Sequence, residues 1–248
     1  EFVSVASHQL RTPLTAIRWN LEDLQSEEMG ALSQEQKESV AQVVVSTGRM
    51  IRLVNDLLDV SRLESGRLSI RPVPTDIAAI LTDVAEEHNV LAREKKCTVH
   101  MHLPAQTLPP ISIDPMLIRQ VVVNILSNAI KYSCSADHQP AVDVTLSQDG
   151  ELYYRVEIRD NGMGIGKKDE DRIFQRFFRA DNAVKQQTEG SGLGLYIAKL
   201  IIEESGGMIS FSSTEGSGSV FWFLLPIAGS KERLGGKTLT SHESKNTI

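Results

Sequence analysis

Two runs of apolar residues at alternating steps of four and three constrain this chain more than anything else in it. Leu10, Leu14, Ile17, Leu21 and Leu24 form one run; Val40, Val44, Thr47, Ile51, Val54 and Leu58 form the other, with Val43, Met50 and Leu57 as a parallel stripe. Such spacing keeps side chains on one helical face and predicts two packed helices. The first is expected to run to about residue 28 and the second to start at Ser33, with Glu35 and Gln36 following as in a capping pattern. The second helix carries more apolar surface than one partner can cover. The hairpin is therefore expected to pair with a second copy as a four-helix bundle; packing of the stripes on the rest of the chain is the alternative. His8 falls off the seam, with Thr12 one turn on along the same face and Pro13 removing a backbone donor just after it. A solvent-facing imidazole on a loosened helix is the expectation.

Beyond Gly66 the pattern changes. Pro72 and Pro74 mark a boundary near a short strand, and a helix is expected over 76–95, a strand over 97–103 and a helix from Asp114 to Tyr132. Strands follow over 142–147 and 152–159, then a glycine-bearing polar stretch to Gly194, a helix over 195–205, and strands over 208–213 and 219–225. This mixture predicts a two-layer α+β sandwich. The expected organisation is a helical hairpin over 1–66, a linker over 67–75, the sandwich over 76–227 and a disordered polar tail over 228–248.

With 248 residues the chain has room for such a pair of domains. A net charge of −6 argues against nucleic acid as the main partner. No apolar run approaches the roughly 18 residues of a membrane span. Cys97 and Cys134 lie far apart without metal or redox spacing and read as free thiols of a reducing, cytoplasmic compartment. Because Glu1 to Ala6 are already in helical register, the chain reads as a piece cut from a longer protein, with whatever preceded the helix missing.

Three stretches of the second domain carry chemistry. In the first, Asn124, Asn128, Lys131 and Tyr132 share one helix face. Carboxamide oxygens can ligate Mg²⁺ without adding charge, and a lysine can meet phosphate as a point charge. The second, Arg159-Asp160-Asn161-Gly162-Met163-Gly164, follows a strand; a carboxylate there can accept a bond from an exocyclic amine while glycines let backbone approach a ring. The third, Gly190-Ser191-Gly192-Leu193-Gly194, opens a helix as an anion site would, but lacks the Lys-Ser/Thr of a P-loop. Between the last two lie Phe174, Arg176, Phe177, Phe178 and Arg179, in about 25 residues of loop expected to act as a mobile lid.

In this order and spacing the stretches resemble the catalytic portion of two-component sensor histidine kinases, over nearly the whole chain to about Pro226. The stretch at His8 resembles that family's phosphoacceptor box. The others resemble its asparagine box, its two glycine boxes and the phenylalanine box between them. The resemblance implies a dimeric four-helix bundle followed by a Bergerat-type ATP-binding sandwich, with ATP and Mg²⁺ as cofactors. It implies that Asp160 binds the adenine amine, that Asn128 with Asn124 holds Mg²⁺ on the phosphates, and that Lys131 and Tyr132 contact phosphate. Gly162 and Gly164 would belong to the nucleotide site, as would Leu193; Gly190, Gly192 and Gly194 would hinge the lid. Arg179 would stabilise the transferring γ-phosphoryl. His8 would take the phosphoryl from ATP and pass it to an aspartate of a response regulator receiver domain, and Thr12 would orient water when that regulator is dephosphorylated.

One residue departs from the pattern. Gln9 stands where the family usually has Glu or Asp. A carboxamide can accept a hydrogen bond and fix the imidazole tautomer but is a poor base, so autophosphorylation is expected to survive, slowed by about one or two orders of magnitude. The alternative that Gln9 raises is a phosphatase-only or non-catalytic ATP-binding scaffold. His100 and His102 share a strand face, where a structural role is expected; His88 is expected to be uninvolved, and Trp19 and Trp222 to serve packing.

Overall fold

The structure is a computed structural model and describes residues 2–26, 30–65, 69–133, 138–186 and 190–232. Two helices joined by a short connection open the chain. Helix α1 (Phe2–Gln25) contains Pro13, so one missing backbone donor does not end it. Helix α2 (Gln34–Glu64) starts where the sequence places it. Ser33 Oγ accepts from Gln36 N at 3.3 Å, and Gln36 Oε1 accepts from Ser33 N at 2.8 Å, a complete capping box.

The seam between the helices buries Leu14 and Thr47, while Val43, Met50 and Leu57 of the parallel stripe remain 46, 46 and 38% exposed. The second domain therefore does not cover the stripe. It covers the other end of α2 instead: Val60 and Leu63 are buried and belong to the core of the domain that follows. Trp19, expected to pack, is 66% exposed in a single chain.

The second domain is a sheet with helices on one face. Its elements are β1 (Val73–Thr75), α3 (Ile77–Glu87), α4 (Asn89–Glu94), β2 (Thr98–His102), β3 (Ile111–Ile113), α5 (Pro115–Tyr132), β4 (Ala141–Asp149), β5 (Tyr153–Asp160), α6 (Asp181–Gln186), α7 (Gly194–Glu204), β6 (Met208–Thr214) and β7 (Gly218–Pro226). The order β2-β4-β5-β7-β6 is antiparallel throughout except for the parallel pair β2–β4. Strands β4, β5 and β7 bury alternate residues, as a sheet with one covered face must. Against that face lie Ile118, Val121, Ile125 and Leu126 of α5 and Ile197 and Ile201 of α7, all at most 1% exposed. On the other face Trp222 lies beneath the Arg155 guanidinium, 4.4 Å from ring to cation.

Three segments differ from the sequence expectation. The helix expected over 76–95 breaks at His88, which ends α3 and precedes α4. The segment expected as a linker is part of the second domain: β1 pairs antiparallel with β3, a strand the apolar pattern was too short to reveal, and Ile70 is 1% exposed. The expected tail begins inside the fold, since Ser230 N donates to Ser112 O at 2.7 Å and Ser230 Oγ to Ser205 O at 3.0 Å. Residues 233–248, to which the rest of that expectation applies, lie outside the described residues, as does Cys134. Cys97 is a buried free thiol. Among the described residues, no helix is long and apolar enough to cross a membrane.

Candidate nucleotide site

A cavity of about 740 Å³ opens between α2, α5, the end of β5 and the segment leading into α7. Helix α5 forms its floor. Asp114 caps the helix, its Oδ1 accepting from Met116 N at 3.1 Å and Leu117 N at 3.3 Å, and Pro115 sets the first turn. Burial of the Val, Ile and Leu positions fixes the rotation of α5, which turns Asn124, Asn128, Lys131 and Tyr132 to the cavity.

Asp160 stands at the end of β5, 6% exposed. Burial raises its carboxyl from the usual range to about 6, opposed by backbone hydrogen bonds from Gly162 and Ser219. One is short and direct, Gly162 N to Asp160 Oδ1 at 2.9 Å. A buried carboxyl held by backbone donors can accept from a neutral donor such as an exocyclic amine. Gly162 itself does not line the cavity. It belongs to the wall behind it, where a Cβ would come within 1.9 Å of Tyr132 O, and the next residue donates from Met163 N to that same oxygen at 3.2 Å. Gly164, which does line the cavity, has φ +65, and a Cβ there would lie 2.0 Å from Thr214 O.

Arg179, Gly190, Ser191, Gly192 and Gly194 also line the cavity. Arg179 packs against Gly190, where a Cβ would approach its Nε to 3.3 Å, and Arg179 donates from Nη2 to Ala183 O at 3.4 Å. Gly194 begins α7, and Asn124 Nδ2 donates to its carbonyl at 3.2 Å. Leu193, expected at the nucleotide, is wholly buried beneath the loop and outside the lining: an apolar side chain at that register seats α7 on the core. The segment between the glycine stretches is not a structureless loop. It holds a 3-10 turn (Lys167–Arg172) and α6, Ile173 and Ala180 are buried, and Phe174 meets Phe211 and Phe221 edge-on at 5.8 and 6.4 Å. Asn182 Nδ2 donates to Gly164 O at 2.9 Å, tying α6 to the Asp160 end. Apolar side chains inside the polar stretch are what fold it.

The sequence did not point to the fourth wall. Arg49, Arg52, Leu53 and Asp56 of α2 line the cavity, as does His88. Asp56 Oδ2 accepts from Ser191 Oγ at 2.9 Å, and burial together with nearby Asp59 holds its carboxyl above the ordinary range. Further along α2, Gln120 Nε2 donates to Asp59 Oδ2 at 3.1 Å, Tyr196 Oη to Glu64 Oε1 at 2.6 Å, and Arg176 pairs with Glu64 at 2.9 Å. A four-three pattern read as a hairpin seam could not announce a second face directed at another domain.

His8 lies in α1, but its side chain is outside the described residues. Gln9 and Thr12 are exposed and lie outside the cavity lining. In an antiparallel hairpin His8 stands about 17 residues, roughly 26 Å, from the connecting turn, and Ile51 of α2 is equally far from it. His8 is thus level with the turn of α2 that carries Arg49 and Arg52.

Among the described residues no group of three or more His, Cys, Asp or Glu side chains could hold a metal, and His102 instead meets Asp143 at 2.8 Å. The donor set suits a Mg²⁺ that arrives on phosphate oxygens: two carboxamides are present, and since Asn124 spends its nitrogen on Gly194, its oxygen is the group left for a ligand.

Two family models match the chain. Residues 1–66 match one described as His Kinase A (phospho-acceptor) domain, and residues 113–229 match the histidine kinase-, DNA gyrase B- and HSP90-like ATPase. The chain is 36% identical over 236 residues to sensor histidine kinase WalK of Bacillus subtilis, across 94% of its own length and 37% of the relative's. It is 31% identical over 232 residues to sensor protein GacS of Pseudomonas syringae pv. syringae, across 94% and 25% of the two lengths. It thus spans about a quarter to somewhat over a third of these relatives. Among solved structures, full-length ShkA in complex with AMPPNP superimposes with a TM-score of 0.75 at 29% identity, over 94% of this chain and 46% of that one. With a phosphoacceptor region and a Bergerat-type ATPase region joined in this order, the chain belongs to the family of two-component sensor histidine kinases.

Proposed function

We propose that this chain transfers the γ-phosphoryl group of ATP to His8 and passes it on to an aspartate of a response regulator receiver domain. The observation that carries the reading is the cavity itself. It joins a buried carboxyl to carboxamides, cations and a glycine-bearing helix start, and abuts α2 level with His8. In this reading Asp160 accepts from the adenine amine, Gly164 lets backbone approach the ring while Gly162 seats that turn on α5, and Lys131, Tyr132 and Arg179 meet the phosphates. Gly190, Gly192 and Gly194 give the loop before α7 the conformations needed to close on them. Asn128, with Asn124, would hold Mg²⁺, which would supply charge neutralisation on the phosphates.

An imidazole nitrogen of His8 attacks the γ-phosphorus, the bond to the bridging oxygen breaks, and ADP leaves with that electron pair. The chemistry needs chiefly positioning and charge neutralisation. Gln9 can hold the ring by a hydrogen bond without acting as base. The exposed stripe of Val43, Met50 and Leu57 supports dimerisation through the hairpin, where a second copy would cover it. A second reading, a phosphatase or scaffold that makes no phosphohistidine, draws on the exposed, uncharged Gln9 and on Thr12 one turn beyond His8.

Incubation with γ-labelled ATP and Mg²⁺ beside His8→Ala separates the two. Acid-labile, base-stable label in the native chain, absent from His8→Ala although that variant still binds ATP, is the expected result. No label in a native chain that binds ATP would overturn the kinase reading and leave the scaffold.

A further inference from the structure

The face of α2 turned to the cavity is not only a wall. Asp56, Asp59 and Glu64 close the lower part of this face on the second domain through Ser191, Gln120, Tyr196 and Arg176. Below the cavity Val60 and Leu63 are buried in the domain's core, so the position of α2 against that domain is fixed by apolar packing as well as by polar contacts. One and two turns above Asp56, at the spacing that keeps residues on one face, Arg52 and Arg49 line open volume beside the Gly190–Gly194 loop. Ser191, held by Asp56, accepts in turn from Leu193 N at 3.2 Å, which places the phosphate-facing loop within one hydrogen bond of the hairpin.

We propose that the hairpin supplies part of the phosphate site: Arg52, with Arg49 beside it, reads the terminal phosphate of a nucleoside triphosphate held in the cavity. This deepens the ATP reading and rests on it. A guanidinium is a fixed fork that can meet two phosphate oxygens at once, and it stays charged at any physiological pH. Lys131 and Arg179 of the second domain line the same cavity as Arg49 and Arg52, so α2 adds positive charge to it from a separate element. A triphosphate bound this way touches both domains, whereas a diphosphate ends short of α2. By linkage, the triphosphate then favours the docked arrangement and docking favours the triphosphate, to the same extent. The contact also brings the transferable group to the α2 turn level with His8.

The test is calorimetric titration of the full chain with a non-hydrolysable ATP analogue, with ADP and with adenosine, in native, Arg52→Ala and Arg52→Lys forms. Arg52 is exposed on a helix and alanine is the best helix former, so the variant is expected to fold. Arg52→Ala should weaken the triphosphate analogue about tenfold, as loss of one hydrogen bond to a charged group does, with ADP affected much less and adenosine not at all. Arg52→Lys should restore part of the loss, and the gap between native and Arg52→Ala should shrink as salt rises. Equal weakening of all three ligands would mean a structural role and overturn the inference, as would an unchanged triphosphate affinity. If the native chain bound none of the three, the ATP reading itself would fall and this inference with it.

Discussion

The two halves of this molecule bury their apolar residues in opposite ways. The sandwich is closed within one chain: α5 and α7 are sealed against a sheet whose inward residues Val142, Val156, Ile158 and Phe223 are at most 1% exposed. The hairpin is not. Its second stripe stays open, and what α2 does bury beyond the seam, at Val60 and Leu63, is lent to its neighbour. A domain that must hold a small molecule in a fixed geometry completes its own core. The hairpin leaves its second stripe to be completed by something other than this chain's second domain. The difference places a closed core behind Asp160 and α5, and an open apolar stripe on α2 beside the end that is packed on the second domain.

That comparison can be broken most severely at Gly162. A Cβ there would lie 1.9 Å from a backbone oxygen of α5, and no side-chain rotation relieves it. Gly162→Ala should cost the second domain about 3 kcal/mol or more in chemical denaturation, while helicity of the hairpin persists. If both parts unfold together, they are less separate than their cores imply. Next in size is the open stripe. Leu57→Lys, which puts a charge into the open stripe of each copy, should raise the dimer dissociation constant about tenfold or more in sedimentation, with nucleotide binding unchanged. A dimer of native affinity would show that the stripe is not the interface.

The smallest effect sharpens the contrast by pH. Burial pushes the Asp160 carboxyl up to about 6, and its ionised form accepts from an amine donor more strongly than its protonated form. Protons therefore compete with adenine below that value. ATP affinity should be level above about pH 7 and fall toward tenfold per unit below pH 6, in the native chain and in the dimer-broken variant alike. Asp160→Asn should bind more weakly and lose this pH dependence. The same shift bears on stability with the opposite sign to a salt-bridged carboxylate. Raised above its unfolded value, Asp160 favours the folded state at low pH and costs stability as pH climbs from about 4 through 6.

Much of the site was legible because it is local. The helix face from Asn124 to Tyr132 follows from one periodicity, and Asp160 from a carboxylate at the end of an alternating strand. Gly162 and Leu193 show the limit of that reading. Both stand inside recognisable motifs, yet one is a backbone contact to α5 and the other a core residue under α7. A motif preserves positions without telling which touch a ligand and which hold the motif in shape. Likewise the stretch from 161 to 189 looked like loop because its charged and glycine residues outnumber Ile173, Phe174 and Phe178, though those three anchor it.

By itself the sequence determined the hairpin, the order of helices and strands, and the nucleotide motifs, because period, caps and turn residues act over a few neighbours. Only the tertiary structure decided that residues 70–75 join the sheet domain, and that a second face of α2 packs against α5 and α7. It also set Arg49, Arg52 and Asp56 in the lining of the same cavity as Lys131 and Arg179. Those contacts link residues far apart in the chain. Their energy comes from matching two finished surfaces, which no local pattern encodes.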